Sequence, residues 1–291
     1  MKAIINRGVS GSGKSKSNSL HPDFKIISKD IYRKELVLHD TEVNFWTTYR
    51  FFDKEIEKSV IDLMNKDIQS SADAGENIII DNTNLSNNRT DELIKHLQRL
   101  GYEILINNCN HTDNINDYIV NNKNRLDSVD SSVVNDQYIM ACINKLVPLK
   151  SHRILIVDID GTLALPTHRS IYDYNKAYSD DVNSYVYDLI KHLAKTDYVD
   201  YIQFLTGRES YSYDVTKNWL TAKGFDMNKH RLLSRKTNDS RKDYIIKEEI
   251  YFNCLQQNTV VGLFDDRPQV VEMWWDNLLP VFHVGDFRIK F

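Results

Sequence analysis

The sequence has few cysteines and no excess of positive charge. Its three cysteines are scattered, at positions 109, 142 and 254, without a CxxC spacing. This favours reduced thiols in an intracellular protein over a disulfide framework. The 37 basic side chains are balanced by 41 acidic ones, which gives a net charge of −4. The balance excludes a bulk polycation, so any binding of nucleic acid must come from local basic patches.

Long apolar runs, internal repeats and low-complexity tracts are also missing. No run approaches the ~20 residues of a membrane-spanning helix, and residues 1–15 contain no long apolar stretch of the signal-peptide kind. We therefore expect a soluble, cytoplasmic protein with no membrane association. With 291 residues, of which 41% are hydrophobic, the chain is long enough for two domains with proper cores.

Short apolar runs alternate with longer amphipathic stretches in both halves of the chain. The runs predict strands at 3–5, 25–27, 77–80, 103–106, 153–157, 201–205, 259–264 and 281–284. The amphipathic stretches predict helices at 51–68 and 89–100, and near 182–194, 213–223 and 243–255. A break at 146–152 indicates a linker. Because strands separated by helices are typical of parallel βαβ units, the sequence predicts two α/β domains, at 1–147 and 148–291.

A glycine-rich segment follows the first predicted strand directly. It runs Gly8-Val-Ser-Gly11-Ser-Gly13-Lys14-Ser15 and matches the P-loop pattern GxxxxGK[ST] in full. The glycines let backbone N–H groups turn toward phosphates, and the following helix adds positive potential. Lys14 would reach the β- and γ-phosphates of ATP, and the Ser15 hydroxyl would bind Mg²⁺. The alternative, a chance glycine-rich turn, is disfavoured by the placement between strand and helix.

A kinase needs a base for its acceptor hydroxyl as well as a P-loop. Asp30 and Arg33 follow the second predicted strand, and the ends of parallel strands carry the site in open α/β sheets. Asp30 is therefore placed to accept a proton and Arg33 to hold a phosphate. An N-terminal helix cap with a solvent-exposed arginine is the alternative.

Two further features complete the candidate kinase site. The third strand ends in Asp81-Asn82-Thr-Asn84, which resembles a Walker-B position whose side chains could bind donor or acceptor. A turn rich in Asx residues is the alternative. Arg125, at the end of an amphipathic helix, is a candidate lid arginine over ATP, although a single helical arginine is more often solvated.

The second half opens with two carboxylates, in the segment Asp158-Ile-Asp160-Gly-Thr162 at the end of a predicted strand. Side chains two residues apart leave a strand in the same direction. The first carboxylate can attack phosphorus and bind Mg²⁺, and the second can protonate the leaving oxygen.

Complementary groups follow in a suitable order. Thr206-Gly207-Arg208 offers a hydroxyl and backbone N–H groups to phosphoryl oxygens, Lys247 offers a cation, and Asp265-Asp266 offers metal ligands. The set resembles the four-part signature of the haloacid dehalogenase superfamily of aspartyl-phosphate enzymes, which implies a Rossmannoid fold. Only about twenty residues separate Thr162 from the next predicted helix, so we expect a small cap and an open site suited to a bulky or polymeric substrate.

A P-loop domain followed by such a phosphatase, over essentially the whole chain, resembles the phage-type polynucleotide 5′-kinase/3′-phosphatase family. The similarity is closest at Asp239-Ser-Arg-Lys-Asp243…Lys247-Glu-Glu-Ile and at Asp265-Asp-Arg267-Pro-Gln-Val-Val-Glu-Met-Trp274. The resemblance implies ATP-dependent phosphorylation of 5′-hydroxyl ends of RNA or DNA. It also implies Mg²⁺-dependent removal of 3′-phosphates through an aspartyl-phosphate, so that ends are prepared for ligation.

The resemblance also implies roles for individual residues. Asp30 would be the general base, Arg33 would hold the acceptor's 3′-phosphate, Arg125 would be the lid arginine, Asp158 the nucleophile and Asp160 the acid/base. Further positions that match the family's functional residues are Arg169, Arg208, Arg235, Asp243, Lys247, Asp265, Asp266 and Arg267. A homo-oligomer (a tetramer) and an RNA ligase partner are implied as well.

One departure concerns the acceptor side, where Asn82 stands at a position that is aspartate in the family's phage prototype and Asp81 lies one residue earlier. Together, the residues expected to bind substrate are Arg33, Asp81, Asn82, Asn84, Arg169, Thr206, Gly207, Arg208, Arg235, Asp243 and Arg267. Those expected to bind metal are Ser15, Asp158, Asp160, Asp265 and Asp266.

Other functions stay open at this point. Opposed kinase and phosphatase sites could act on a small sugar or nucleotide metabolite, and a non-catalytic nucleotide-gated scaffold is a third reading that the retained carboxylates disfavour. A basic stretch supports a nucleic-acid substrate, although each of its residues could equally belong to a solvated loop. Its members are Lys229, Arg231, Arg235, Lys236, Arg241 and Lys242.

Overall fold

The computed structural model describes residues 1–37, 54–125 and 128–285. The chain divides into two compact units. The first comprises Met1–Thr112, Asp117–Asp130 and Met140–Pro148, and the second comprises Asp113–Asn116, Ser131–Ile139 and Leu149–Phe291. Two short segments before residue 147 thus group with the second unit, and the domain boundary at 147/148 stays a prediction.

The first unit contains a parallel sheet, in the strand order β2-β3-β1-β4. Its strands are β1 (Lys2–Arg7), β2 (Lys25–Ile27), β3 (Ile78–Ile80) and β4 (Glu103–Asn108). All four were predicted. The isoleucines of β3 are buried along the whole strand, as expected for the centre of a parallel sheet that is covered on both faces.

The first four of the next six helices lie between these strands along the chain, and most of the sixth belongs to the second unit. In chain order the six are α1 (Lys14–Asn18), α2 (Lys29–Val37), α3 (Lys54–Asp73), α4 (Asn87–Arg99), α5 (Ile115–Lys123) and α6 (Ser131–Ile143). The predicted helix at 51–68 is present as α3, except that residues 51–53 lie outside the described part of the chain. Val60, Met64 and Ile68 are four residues apart on α3 and pack into the core with Ile78 and Ile80, because that spacing places them on one helical face.

The second unit contains a five-stranded parallel sheet, in the order β11-β10-β5-β8-β9. The remaining strands are β5 (Arg153–Val157), β6 (Ala164–Leu165), β7 (Asp181–Val182), β8 (Tyr201–Glu209), β9 (Arg231–Arg235), β10 (Thr259–Asp265) and β11 (Val281–His283). The remaining helices are α7 (Ser184–Leu193), α8 (Tyr213–Ala222), α9 (Asp243–Ile250), which continues as a π-helical turn at Tyr251–Leu255, and α10 (Pro268–Asp276). The predicted α/β class, with parallel sheets in both halves, is confirmed.

The predicted small cap corresponds to the antiparallel pair β6–β7 and the 3₁₀ helix Tyr174–Ser179 that lies between these strands. It is inserted just after the carboxylates that end β5. A cap of this size leaves the carboxyl ends of the parallel strands accessible, which is where α/β sheets place their sites.

Strand β9 was not predicted from the sequence, because Arg231 and Arg235 flank a buried centre of only three residues. Its outer edge is occupied by Asn135, which is completely buried. The Asn135 side chain accepts a hydrogen bond from the Ser234 backbone N–H (3.2 Å) and donates one to the Ser234 carbonyl (3.3 Å). An amide side chain thus satisfies strand-edge groups that would otherwise be left unpaired.

None of the helices in the described ranges combines the length and the apolar character that crossing a bilayer requires.

Candidate active sites

The P-loop begins immediately after β1 and leads into α1. Gly11 and Gly13 both have positive φ angles, of 84° and 91°, which glycine adopts without the steric cost of a Cβ atom. A Cβ atom on Gly11 would also collide with the Tyr118 carbonyl oxygen of α5. The glycines of the motif are therefore needed for the loop's backbone path and for its close approach to α5.

Lys14 and Arg125 lie at the same cleft. Its volume is about 520 Å³, and its lining includes residues 11–16, His111, Asn121 and Arg125. The Lys14 ammonium donates to the Gly8 and Val9 carbonyl oxygens (2.9 and 3.1 Å). Burial lowers the pKa of Lys14 to about 8, although Asp81 acts to raise it. The geometry thus brings two cations to the loop that is predicted to hold phosphates, while the lid role of Arg125 stays a prediction.

Asp81 lies at the carboxyl end of β3 and faces the P-loop helix. Its carboxylate accepts hydrogen bonds from Asn18 of α1 (2.7 Å) and Asn6 of β1 (3.2 Å). The side-chain amides of its neighbours form hydrogen bonds with backbone groups. The Asn82 side chain accepts one from the Lys29 N–H (2.9 Å), and the Asn84 side chain donates one to the Asn6 carbonyl (2.7 Å). Substrate binding by these three residues stays a prediction.

Asp30 and Arg33 form an ion pair on α2, with 2.7 Å between Arg33 Nη1 and Asp30 Oδ1. Arg33 also makes a bidentate pair with Glu57 of α3, at 2.6 and 2.9 Å. Burial alone would lower the pKa of Arg33, but Glu57 and Asp30 raise it above its usual value. Glu57 is 7% exposed, and it was not predicted as a site residue because a single glutamate in an amphipathic helix carries no motif.

The candidate phosphatase site centres on a buried lysine. The Lys247 ammonium of α9 lies 2.6 Å from Asp158, 2.8 Å from Asp265 and 3.3 Å from Asp243. Burial would lower the pKa of Lys247, but these carboxylates raise it well above its usual value. Burial raises the pKa of Asp158, an effect that Lys247 opposes and Asp265 reinforces. One cation therefore balances several carboxylates that converge from three elements.

Asp158, Asp265 and Asp266 form a group that could hold a metal ion, since one carboxylate oxygen from each lies within 4.8 Å of the others. An all-oxygen, anionic set suits a hard divalent cation such as Mg²⁺. Asp266 also accepts a hydrogen bond from the Thr162 hydroxyl (3.0 Å). Gly161 has φ 87°, and a Cβ atom there would collide with the Asp266 carboxylate, which explains the glycine after the second aspartate of the motif.

Asp160 is held by two arginines instead of joining that group. Arg208 contacts both of its carboxylate oxygens (2.7 Å each) and Arg169 contacts one (2.9 Å). Both arginines also pair with Asp180 (2.6–2.8 Å), and the side chains of Arg169, Arg208 and Asp180 have no solvent exposure. The arginines were expected to touch substrate, and the structure places them behind Asp160. Substrate binding by Arg169 and Arg208 stays a prediction. Metal binding by the Asp160 carboxylate stays a prediction too.

Asp243 links the lysine to the mouth of the site. It contacts Arg235 (3.1 Å) and Arg267 (3.7 Å) as well as Lys247. Burial would raise the pKa of Asp243, but these cations hold it below its usual value. A Cβ atom on Gly207 would collide with its carboxylate.

Of these groups, Asp158, Asp160, Asp243 and Arg267 line one cleft of about 370 Å³. Of the predicted basic stretch, the cleft lining includes Arg235, Arg241 and Lys242. Arg231 packs instead on the Tyr201 ring, at 3.9 Å from the ring centroid, and contacts Asp113. The lining also includes residues that were not predicted from the sequence, namely Tyr172, Tyr174, Glu209 and Tyr211.

Two family models match the chain. Residues 4–138 match an AAA domain, and residues 152–287 match the polynucleotide kinase PNKP phosphatase domain. The predicted pairing of a P-loop domain with this phosphatase domain is therefore confirmed.

Relatives align with nearly the whole chain. A curated protein of Autographa californica nuclear polyhedrosis virus, "Putative bifunctional polynucleotide kinase/RNA ligase", is 30% identical over 300 residues, which cover 99% of this chain and 43% of the viral protein. The chain thus spans less than half the length of that relative. Chains from "Structure of the Pnkp1/Rnl/Hen1 RNA repair complex" and "Structure of Pnkp1/Rnl/Hen1 complex" are similar at 24% and 25% identity, with TM-scores of 0.42 and 0.43, over 98% of this chain and 97% of theirs.

Proposed function

We propose that this protein heals nucleic-acid ends: its P-loop domain phosphorylates a 5′-hydroxyl with ATP, and its phosphatase domain removes a 3′-phosphate. The observation that carries the proposal is that Asp158 and Asp160 line one cleft, with the buried Lys247 ammonium 2.6 Å from Asp158, in a domain that matches the phosphatase domain of polynucleotide kinases. Both products are the ends that ligation needs.

In the phosphatase reaction, Asp158 attacks the phosphorus of the 3′-phosphate. The phosphorus–oxygen bond to the 3′-oxygen breaks, and Asp160 gives that oxygen its proton. Asp160 then takes a proton from water, which attacks the aspartyl-phosphate, frees inorganic phosphate and restores Asp158. Lys247 stabilises the negative charge around Asp158 throughout. Asp158, Asp265 and Asp266 would hold Mg²⁺, which would supply positive charge to the phosphoryl oxygens when bound.

In the kinase reaction, Asp30 accepts the proton of the 5′-hydroxyl, whose oxygen attacks the γ-phosphorus of ATP, and ADP leaves. Lys14 and Arg125 line the cleft beside the P-loop and would balance charge on the transferred phosphoryl group, while Ser15 would bind Mg²⁺. The Arg33–Glu57 pair orients Asp30 for this step.

A ligase is the natural consumer of 5′-phosphate and 3′-hydroxyl ends. The name of the viral relative joins a polynucleotide kinase to an RNA ligase, which supports RNA ends as substrates and an RNA ligase as the partner.

One assay tests the proposal. Wild-type protein, Lys14→Ala and Asp158→Asn are each incubated with labelled ATP and an oligonucleotide that has 5′-hydroxyl and 3′-phosphate ends. We expect wild type to label the 5′ end and release the 3′-phosphate, Lys14→Ala to lose only the labelling, and Asp158→Asn to lose only the release. If ATP is hydrolysed while both ends of the oligonucleotide stay unchanged, the substrate must be sought among small metabolites. Loss of both activities in one variant would contradict separate sites.

A further inference from the structure

Aromatic side chains at the mouth of the phosphatase cleft take no part in the chemistry proposed above. Tyr172 and Tyr211 line the cleft together with Asp158 and Asp160. Tyr172 is 74% exposed and Tyr211 is 48% exposed, so both residues present accessible surface to the solvent. We call Tyr172 and Tyr211 the tyrosine rim.

The rim is anchored to the catalytic centre. The Tyr211 ring lies against Tyr174, with 6.3 Å between the ring centroids and an angle of 43° between the ring planes. Tyr174 in turn lies beside the guanidinium groups of Arg169 and Arg208, at 5.7 and 5.9 Å from its ring centroid. These are the buried arginines that hold Asp160. One ring of the rim is therefore positioned by the same side chains that position the catalytic carboxylate.

Cations share the mouth of the cleft with these rings. Arg235, Lys242 and Arg267 also line it, and the Arg267 side chain is 43% exposed. Cations that follow a phosphate backbone, together with aromatic faces on which bases stack, are the combination that binds single-stranded nucleic acid. A small phosphorylated metabolite without a ring would use the cations and leave the tyrosine faces uncovered.

We propose that the tyrosine rim stacks on the nucleobase next to the 3′-phosphate and so selects single-stranded polynucleotide ends. The inference rests on the proposed 3′-phosphatase function and names what that site recognises. Stacking accepts every base, because every base has a π-face. A base inside a duplex must first be freed from its pair and its neighbour, so paired ends are poorer substrates.

The test compares three substrates. They are a single-stranded oligonucleotide 3′-phosphate, the same oligonucleotide with an abasic terminal nucleotide, and glycerol phosphate, which has no ring. The variants are Tyr172→Ala/Tyr211→Ala and its matched control Tyr172→Phe/Tyr211→Phe. Tyr185→Ala controls for loss of an exposed tyrosine, because Tyr185 is 89% exposed and does not line the cleft.

We expect the double alanine variant to lose about tenfold or more in kcat/KM on the normal oligonucleotide, through a higher KM. With the wild-type protein, kcat/KM for the abasic substrate should be lower than for the normal oligonucleotide by a similar factor. The double alanine variant should lower kcat/KM for the abasic substrate little further. Glycerol phosphate hydrolysis, the phenylalanine variant and Tyr185→Ala should stay close to wild type.

Other outcomes overturn the inference in distinguishable ways. An equal loss on all three substrates would mean that the tyrosines only support the cleft. If the double alanine variant has unchanged kinetics on the normal oligonucleotide, the tyrosine rim does not bind the base, and the proposed 3′-phosphatase function still stands. If wild type hydrolyses glycerol phosphate and releases nothing from the oligonucleotide, the proposed function fails, and the inference fails with it.

Discussion

The two candidate sites are built from contacts of different range. In the P-loop site, Lys14 bonds to carbonyl groups five and six positions away, within the same loop. In the phosphatase site, Lys247 bonds to Asp158 and Asp265, which are 89 and 18 positions away. Lys14 is therefore positioned by the conformation of its own loop, whereas Lys247 is positioned only when a helix and two strands of the sheet come together. We therefore expect that breaking the contacts of Lys247 destabilises its unit more than breaking the contacts of Lys14 does.

The largest contrast is expected between the two lysines. Lys247→Met leaves buried carboxylates without their cation, which should lower the free energy of unfolding by about 3–5 kcal/mol and abolish phosphatase activity. Lys14→Met, the matched control, should lower it by about 1 kcal/mol and abolish only kinase activity. Urea unfolding followed by circular dichroism, in EDTA so that no metal replaces the lost charge, measures both. Equal losses would contradict the comparison.

A smaller contrast is expected between two glycines with positive φ. Alanine at either position costs about 1–2 kcal/mol of backbone strain. Gly13→Ala should cost only that, since no atom of the residues that the structure describes lies within 4 Å of the new Cβ atom, whereas Gly161→Ala must also displace Asp266. We therefore expect a larger loss of unfolding free energy for Gly161→Ala, with phosphatase kcat/KM lowered about 10²-fold. Similar melting curves for the two variants would show that Asp266 moves aside freely.

The two carboxylates behind the arginines allow a third comparison. Asp180→Asn weakens the hold on Arg169 and Arg208, so Asp160 should be misplaced and phosphatase kcat should fall about 10- to 100-fold. Glu57→Gln weakens the hold on Arg33 and should lower kinase turnover by about tenfold or less, because Asp30 keeps its own contact with Arg33. Each variant is assayed for both activities. A loss in the activity of the other site would show that these effects are not local.

The smallest effect concerns the strand edge. Asn135→Ala leaves the Ser234 N–H and carbonyl without their side-chain partner, which should cost about 1–2 kcal/mol and leave phosphatase activity intact below the melting temperature. Differential scanning calorimetry measures the change. Asn135→Asp is the informative companion, because it keeps the acceptor and loses the donor. An unchanged transition in both variants would show that water satisfies this edge.

Much of the fold could be predicted because its signals are local. The alternation of apolar runs with amphipathic stretches located every strand of the first sheet and four of the five in the second. Strand β9 was not predicted, because its buried centre is only three residues long and is flanked by arginines. Asp81 and Asp158 do lie at the carboxyl ends of strands, where the sequence pattern placed them. Glu57, Asp180 and the tyrosine rim could not be selected, since none lies in a motif and each acquires its neighbours only on folding.

The sequence by itself determined that this protein has a P-loop after its first strand and an aspartate pair after a later one, because both motifs are short and depend on local backbone geometry. Only the tertiary structure decided which charges are paired. Lys247 balances Asp158 and Asp265, and Asp180 positions the arginines behind Asp160. The reason is physical: a buried charge must find its partner in space, and sequence spacing does not specify which residues a folded sheet brings together.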